Sequence, residues 1–420
     1  MHSNGCSSYV QGPVPLSSDR RSWLAVLVVA LGYFVDMFDL VMFSILRIPS
    51  LRGIGVTDPE QLALIGKQIL DLQLLGMLFG GVAFGVAGDR LGRTRTLFAS
   101  IALYSIANVL NAFVTSVEQY GVLRFVAGFG LAGELGAGIT LVGELLPTAV
   151  RGIGTTIVAS VGLLGSVAAG FIAELLDWKT CYLLGGGFGI VLLFMRIGVV
   201  ESGMFERMSS TPMQRGNPLG LLWPSDRLVR FLCIVLCGMP IWFAAGVIFV
   251  FAPELGQAMG IPEPIHPGRT IGIAYAGTVV GDILSGSLSQ LMRSRKYIIA
   301  LFLVALAVSI VVFVQVAPYG PWAFYSMIFI IGAATGYWVV FVTTASELFG
   351  TNLRATAATS APNVVRGLGV VITSIWFALK PGLGTLPATL TLGLVCCAIG
   401  LVSALSLRET FHRDLDFHET

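Results

Sequence analysis

Along most of the chain, runs of about twenty or more apolar positions alternate with short polar breaks. A helix needs roughly 20 apolar residues to cross the hydrocarbon layer of a bilayer. Twelve runs qualify, at 22–47, 65–88, 96–115, 119–145, 152–176, 180–200, 230–256, 270–292, 297–317, 322–346, 356–379 and 386–406. The second and fourth are less uniformly apolar than the rest. This pattern predicts an all-α membrane protein with twelve transmembrane helices.

Composition agrees: 55% of the 420 residues are hydrophobic and only 11% charged, where soluble proteins average about 25% charged. The net charge of +2 and the lack of a basic tail or patch give no sign of nucleic-acid binding. Residues 1–21 are polar and lack the layout of a signal peptide, so they read as a cytosolic tail. With an even number of spans both termini share one side. That side carries 16 of the 25 basic residues and the opposite side six, so the positive-inside rule puts both termini in the cytoplasm. A cell-membrane location, the inner membrane of a bacterium, is expected. The six cysteines show no zinc spacing with histidine and read as small packing residues, so no metal site is expected.

The chain repeats itself. GELLPTAVRGIGTT (143–156) returns as SELFGTNLRATAAT (346–359), matching Glu144 to Glu347 and Arg151 to Arg354 at a shift of 203. GVAGDRLGRTR (85–95) aligns with GSLSQLMRSRK (286–296) at nearly the same shift. The expected layout is a tail (1–21), an N-terminal six-helix bundle (22–200), a cytosolic linker (201–229), a C-terminal six-helix bundle (230–406) and a second tail (407–420). Repeated halves with a site between them near midplane are common in secondary transporters.

GVAGDRLGRTR resembles the G-x-x-x-D-R-x-G-R-[RK] loop of the major facilitator superfamily, through Gly85, Asp89, Arg90, Gly92 and Arg93. Thr94 stands where that loop has a base, and Arg95 follows. RFVAGFG (124–130) is similar to the superfamily's R-x-x-x-G-x-G fourth helix. The resemblance implies two pseudo-symmetric six-helix bundles around a cavity that opens alternately to each side. A narrower resemblance is to the metabolite:proton symporter family. It rests on DMFDLVMF in the first span (Asp36, Phe38, Asp39, with Met37 at an aromatic position), on Ala132-Gly133-Glu134 in the fourth, and on Glu144, Pro147, Arg151 and Gly152 after it.

The stretch GFGLAGELG (128–136) matches a dinucleotide turn only superficially, because no strand precedes it. Its glycines read instead as a close helix contact. Glu134 then lies near midplane, where a charge costs at least about 2.5–3.5 kcal/mol. It is either a proton carrier or a permanent bond to a neighbouring helix. Asp36 and Asp39, three apart, share a face of the first span and suit proton coupling, or one of them pairs with a base such as Arg124 or Lys67. For Arg124 the superfamily pattern implies a proton-coupling role, against a structural ion pair.

In the second half, Asp282 and Arg366 fall near the centres of spans eight and eleven. Thr359, Asn363 and Arg366 share one stripe. Arg366 stays protonated and is expected to bind a substrate carboxylate, with Asp282 holding it when the site is empty; a permanent Asp282–Arg366 bridge is the alternative. Tyr33, Trp242, Tyr337 and Trp338 are candidate aromatic contacts. Family resemblance makes Asp89, Arg93, Arg95, Glu144, Arg151, Glu347 and Arg354 a cytosolic gate; positive-inside orientation alone is the plainer account.

These features point to a secondary transporter of a small organic solute, a carboxylate or zwitterion, coupled to protons, with no cofactor and acting as a monomer in the bilayer. A proton-driven efflux antiporter is the alternative, although the fifth span lacks the Gly-Pro of drug antiporters. A ligand sensor derived from a transporter is a third reading. All four histidines lie outside the spans, which argues against a membrane enzyme.

Overall fold

The computed structural model describes residues 20–91, 93–133, 148–200, 224–350 and 353–411, and among these there is no strand. The N-terminal half holds α1 (Arg20–Gly53), α2 (Pro59–Leu91), α3 (Arg93–Asn111), α4 (Val117–Leu131), α5 (Thr148–Leu175) and α6 (Trp178–Val200). The C-terminal half also makes six passes, two of them broken. Its elements are α7 (Ser225–Phe243), which runs through a π-helical turn (Ala244–Phe249) into α8 (Ala252–Ala258), then α9 (Pro267–Leu291), α10 (Lys296–Val316), α11 (Pro321–Thr335), α12 (Trp338–Glu347), α13 (Arg354–Leu383) and α14 (Thr385–Ser406).

Ten of the described passes are long and apolar enough to cross a membrane. The expected weak second pass is one of them. The two outside that set are α3, whose first turn carries Arg93 and Arg95, and α4, which continues beyond the described residues. Large side chains such as Phe79, Phe113, Phe171 and Phe194 are exposed on the outside of the bundle, as a lipid-facing surface requires.

The breaks have local causes. Pro240 removes a backbone donor just before the π turn. Between α11 and α12, Gly336 lies against the backbone of Gly281 and Asp282, leaving no room for a Cβ. Gly384, at φ +85°, lets α13 reverse directly into α14.

The repeat is visible in the packing. α1 lies on α5 as α7 lies on α13, and α2 lies on α4 as α9 lies on α11. The halves meet along two symmetry-related lines, α5 against α9 and α2 against α13. On the first line, a Cβ at Gly170 would come within 2.6 Å of the Gly268 carbonyl. On the second, Leu78 and Leu74 pack on Gly367 and Gly369. The glycine face of α4 seats that helix as its sequence suggests: a Cβ at Gly130 would lie 2.8 Å from the Tyr104 nitrogen, and Gly128 abuts the backbone of Gln73.

One end of the bundle carries the α1–α2 turn, here called the first-turn end; the other carries the described chain's two ends. Polar contacts cross between the halves at the first-turn end. Arg47 donates to Glu254 at 2.6 Å and to the Val250 carbonyl at 3.3 Å. Lys67 donates to Ser374 at 2.9 Å, Thr373 to Asp71 at 3.0 Å, and Arg269 pairs with Glu174 at 3.2 Å.

Candidate functional site

Between the halves lies a cavity lined by residues of both. α1 supplies Tyr33, Met37 and Leu40, an i, i+4, i+7 stripe. α5 supplies Leu163, and α7 with its π turn supplies Ile241, Trp242, Ala245 and Phe249. α9 contributes Tyr275 and Thr278, and the α11–α12 break contributes Thr335 and Trp338. Arg366, from α13, is the charged residue on this wall.

Arg366 is 2% exposed. Its Nη1 donates to Asn363 Oδ1 at 3.2 Å, it stands 5.9 Å from the centre of the Trp338 ring, and its Nε has no hydrogen-bond partner. Tyr33, Asp36 and Tyr275 are the groups within electrostatic reach. A buried guanidinium with spare donors, facing a mostly apolar cavity walled by five aromatic side chains, is chemically matched to a planar anion. It can give two parallel hydrogen bonds to a carboxylate while the rings cover the solute's faces.

Of the residues singled out in the sequence, Tyr33, Trp242, Trp338 and Arg366 meet at this cavity. Asn363 lies behind it: its amide donates to the Thr359 and Ala132 carbonyls at 3.2 and 3.4 Å, and its carbonyl oxygen holds Arg366. Tyr337 points into the C-terminal bundle, where its hydroxyl donates to the Cys237 carbonyl at 2.8 Å.

Asp282 also departs from expectation. It forms no ion pair with Arg366 in this structure; its Oδ1 accepts the Val339 N–H at 3.1 Å. The reason is the helix break. The N-terminus of α12 presents backbone N–H groups that need an acceptor, and the close approach at Gly336 sets Asp282 against them. Tyr275, Thr278 and the π turn were not anticipated. The signal available for the first two was their i, i+3, i+7 spacing with Asp282.

The paired acids of α1 separate. Asp36 lies beside the cavity stripe, in reach of Arg366 and Tyr33. Asp39 is turned about 60° further around the helix and sits against Gly185 of α6, inside the N-terminal bundle. Arg124 is enclosed in the same region: its Nη1 donates to Asn108 Oδ1 at 3.0 Å, and its guanidinium stands over the rings of Tyr182 and Phe43 at 5.6 and 5.9 Å. Glu134 lies outside the described residues.

Among the gate candidates, Glu144 also lies outside them, and the side chains of Asp89, Arg93, Arg151 and Arg354 are not described. Arg95 is exposed. Glu347 is held within the C-terminal half by Arg295, at 3.3 Å, and by the Thr410 hydroxyl, at 2.7 Å. Next to it, burial raises the Glu409 carboxyl, but the Ser294 hydroxyl and the N–H groups of Arg295, Phe411 and Thr410 outweigh that and hold it below the usual range.

The model of the Major Facilitator Superfamily matches residues 29–374. The chain belongs to the major facilitator superfamily. It is 27% identical over 393 residues to a probable 4-methylmuconolactone transporter of Cupriavidus pinatubonensis, covering 90% of this chain and 89% of that protein. It is 25% identical over 284 residues to a putative niacin/nicotinamide transporter of Bacillus subtilis, covering 67% of this chain and 69% of that protein. The solved structure of the proton:xylose symporter XylE, bound to 6-bromo-6-deoxy-D-glucose, shares the fold with a TM-score of 0.71 at 16% identity, covering 94% of this chain and 98% of that one. The protein is a multi-pass membrane transporter, not an enzyme.

Proposed function

We propose that this major facilitator transporter carries a small planar carboxylate, an aromatic or heteroaromatic acid, together with protons. The observation that carries the reading is Arg366, a buried cation with spare donors on the wall of an aromatic-lined cavity between the halves. A zwitterion such as an amino acid or betaine would bring its own cation into reach of Arg366, so a simple monocarboxylate fits better. The relatives named for niacin and for 4-methylmuconolactone, both small ring compounds, agree in size and shape.

Proton coupling rests on Asp36 beside Arg366, on Asp39 near Arg124, and on Glu134. A carboxylate brought against Arg366 changes the field on Asp36, which is within its electrostatic reach, so the charge states of the two are linked. The termini are taken to face the cytoplasm of a bacterial cell, the first-turn end then facing outward, and the transporter is taken to act as a monomer.

The test is uptake into proteoliposomes holding a pH difference. Nicotinate, benzoate, 4-hydroxybenzoate, glycine betaine and xylose are offered separately. Accumulation of a ring carboxylate only when the outside is acidic supports the reading. Extrusion under that gradient means antiport, binding without movement means a sensor, and uptake of betaine or xylose in preference to the acids removes the assigned role of Arg366.

A further inference from the structure

A second polar system lies inside the N-terminal bundle, away from the solute cavity. Tyr182 of α6, Tyr120 of α4 and Ser50 of α1 are all fully buried, yet their hydroxyls form a continuous chain. The oxygens of Tyr182 and Tyr120 are 2.5 Å apart, and the Tyr120 hydroxyl donates to Ser50 Oγ at 3.0 Å. Ser50 in turn donates to the Leu46 carbonyl at 2.6 Å. Three hydroxyls buried among apolar side chains are costly to place, and each repays the cost only through its partner.

The two ends of this chain reach different surroundings. At one end, Ser50 is within a helical turn of Arg52 and Gly53, both exposed at the first-turn end. Trp178, half-buried there, lies over Gly53 and edge-on to Tyr182 at 6.5 Å. At the other end, Tyr182 is in electrostatic reach of both Asp39 and Arg124. The Nε and Nη2 of Arg124 are buried without hydrogen-bond partners, as is the Nδ2 of Asn108. The charged and titratable groups facing the chain are Asp39 from α1, Arg124 from α4 and Cys181 from α6; α3 brings the neutral Asn108 to Arg124 and the buried Tyr104 against Gly189 of α6.

We propose that Ser50, Tyr120 and Tyr182 form a proton relay between the first-turn end and Asp39, with Arg124 as the counter-charge. The proposal rests on the proton-coupled reading above. At rest Tyr120 donates to Ser50 and Ser50 to the Leu46 carbonyl, so the hydroxyls first rotate to point toward Asp39. Each then takes a proton on a lone pair as it releases its own to the next, Tyr182 releasing the last one to the Asp39 carboxylate, so one proton crosses and every O–H is kept. At Asp39 the carboxylate becomes a carboxylic acid. The relay is built entirely from α1, α4 and α6 of one bundle, so it moves as a unit when the halves rock, and protons can reach Asp39 by a route that the solute does not share.

The test compares Tyr120→Phe, Tyr182→Phe and Asp39→Asn with the parent protein, using radiolabelled nicotinate in proteoliposomes. The relay predicts that either Phe variant lowers uptake driven by a pH difference at least tenfold, while nicotinate exchange at equal pH stays within twofold. Loss of uptake and exchange together means the tyrosines only hold Arg124 in place, and unchanged uptake in both variants removes the relay. If Asp39→Asn retains full pH-driven uptake, the coupling assignment of Asp39 fails instead. A solute-free measurement covers both remaining cases, nicotinate not being carried and a Phe variant failing to fold. In it, infrared detection follows the carboxyl band lost in Asp39→Asn after a pH jump, in the parent, in Tyr120→Phe and in Ser50→Ala. At least tenfold slower protonation in either variant supports the relay, and unchanged rates in both overturn it.

Discussion

Arg124 and Arg366 are both fully enclosed arginines in membrane-spanning helices, and the two halves of the molecule treat them in opposite ways. Arg124 sits within one bundle, with Asn108, Phe43 and Tyr182 around it and Asp39 nearby. Arg366 stands on the wall that faces the other bundle, held by Asn363 of its own helix. The repeat does not relate them: Arg124 is on the fourth pass of its half and Arg366 on the fifth. The position 203 residues before Arg366 is Leu163, which also lines the cavity. At one pair of repeat-related positions, on α5 and α13, the cavity wall is thus apolar on one side and charged on the other. A cation inside a rigid bundle keeps its neighbours as the halves rock. A cation between bundles gains and loses them, and only the second kind can sense which way the cavity is open.

The strongest way to break this comparison is to make the walls alike. Arg366→Leu copies the residue its repeat counterpart already has. It should weaken binding of a ring carboxylate at least about a hundredfold, since bidentate charge-assisted bonds are lost, without lowering the melting temperature, because burying an unpaired cation costs stability. Isothermal titration and a detergent melting curve check the two halves of that statement. Arg124→Leu should do the reverse to stability. It removes the donor to Asn108 and the cation packed over Tyr182 and Phe43 inside one bundle, at a cost of about 1–3 kcal/mol, seen as a lower melting temperature; an unchanged melt would mean these contacts do not hold the bundle together.

Smaller effects sharpen the picture. Trp338→Leu removes the ring beside Arg366 and should weaken carboxylate binding about tenfold by the same titration, the size expected of one aromatic contact. Arg269→Ala is the calibrating case. Its pair with Glu174 also spans the halves, but the side chains are 50% and 29% exposed, so the change should stay below about 1 kcal/mol in the same melts. If it matched Arg124→Leu, enclosure would not be what separates these cations.

Much of the architecture is legible in the order of residues. Twelve apolar runs, the repeat near 203 residues and the GVAGDRLGRTR loop lead to the twelve-pass, two-bundle fold, because a bilayer imposes length and apolarity on every pass. The importance of Arg366 is legible for the same reason, since an arginine at the centre of a span needs an explanation. The roles of its neighbours are not. Asp282 and Arg366 look like an ion pair in sequence, yet Asp282 caps α12, because a helix break at Gly336 opened donors that no periodicity announces. Asp36 and Asp39 look equivalent, yet sixty degrees of helix rotation send one toward the cavity and the other into the bundle core.

What the sequence determined alone was therefore everything that depends on solvent: the number of passes, their apolar lengths, the repeated halves and the presence of buried charge. What only the tertiary structure decided was partnership. It brought Tyr33, Trp242, Trp338 and Arg366 to one cavity, turned Tyr337 away from it, and joined Ser50, Tyr120 and Tyr182 across 132 residues of chain. Burial is dictated position by position by the medium around a helix. Hydrogen bonds and ion pairs depend on distances of a few ångströms between helices far apart in the chain, and those are set by how the glycines, prolines and helix breaks let the bundles pack.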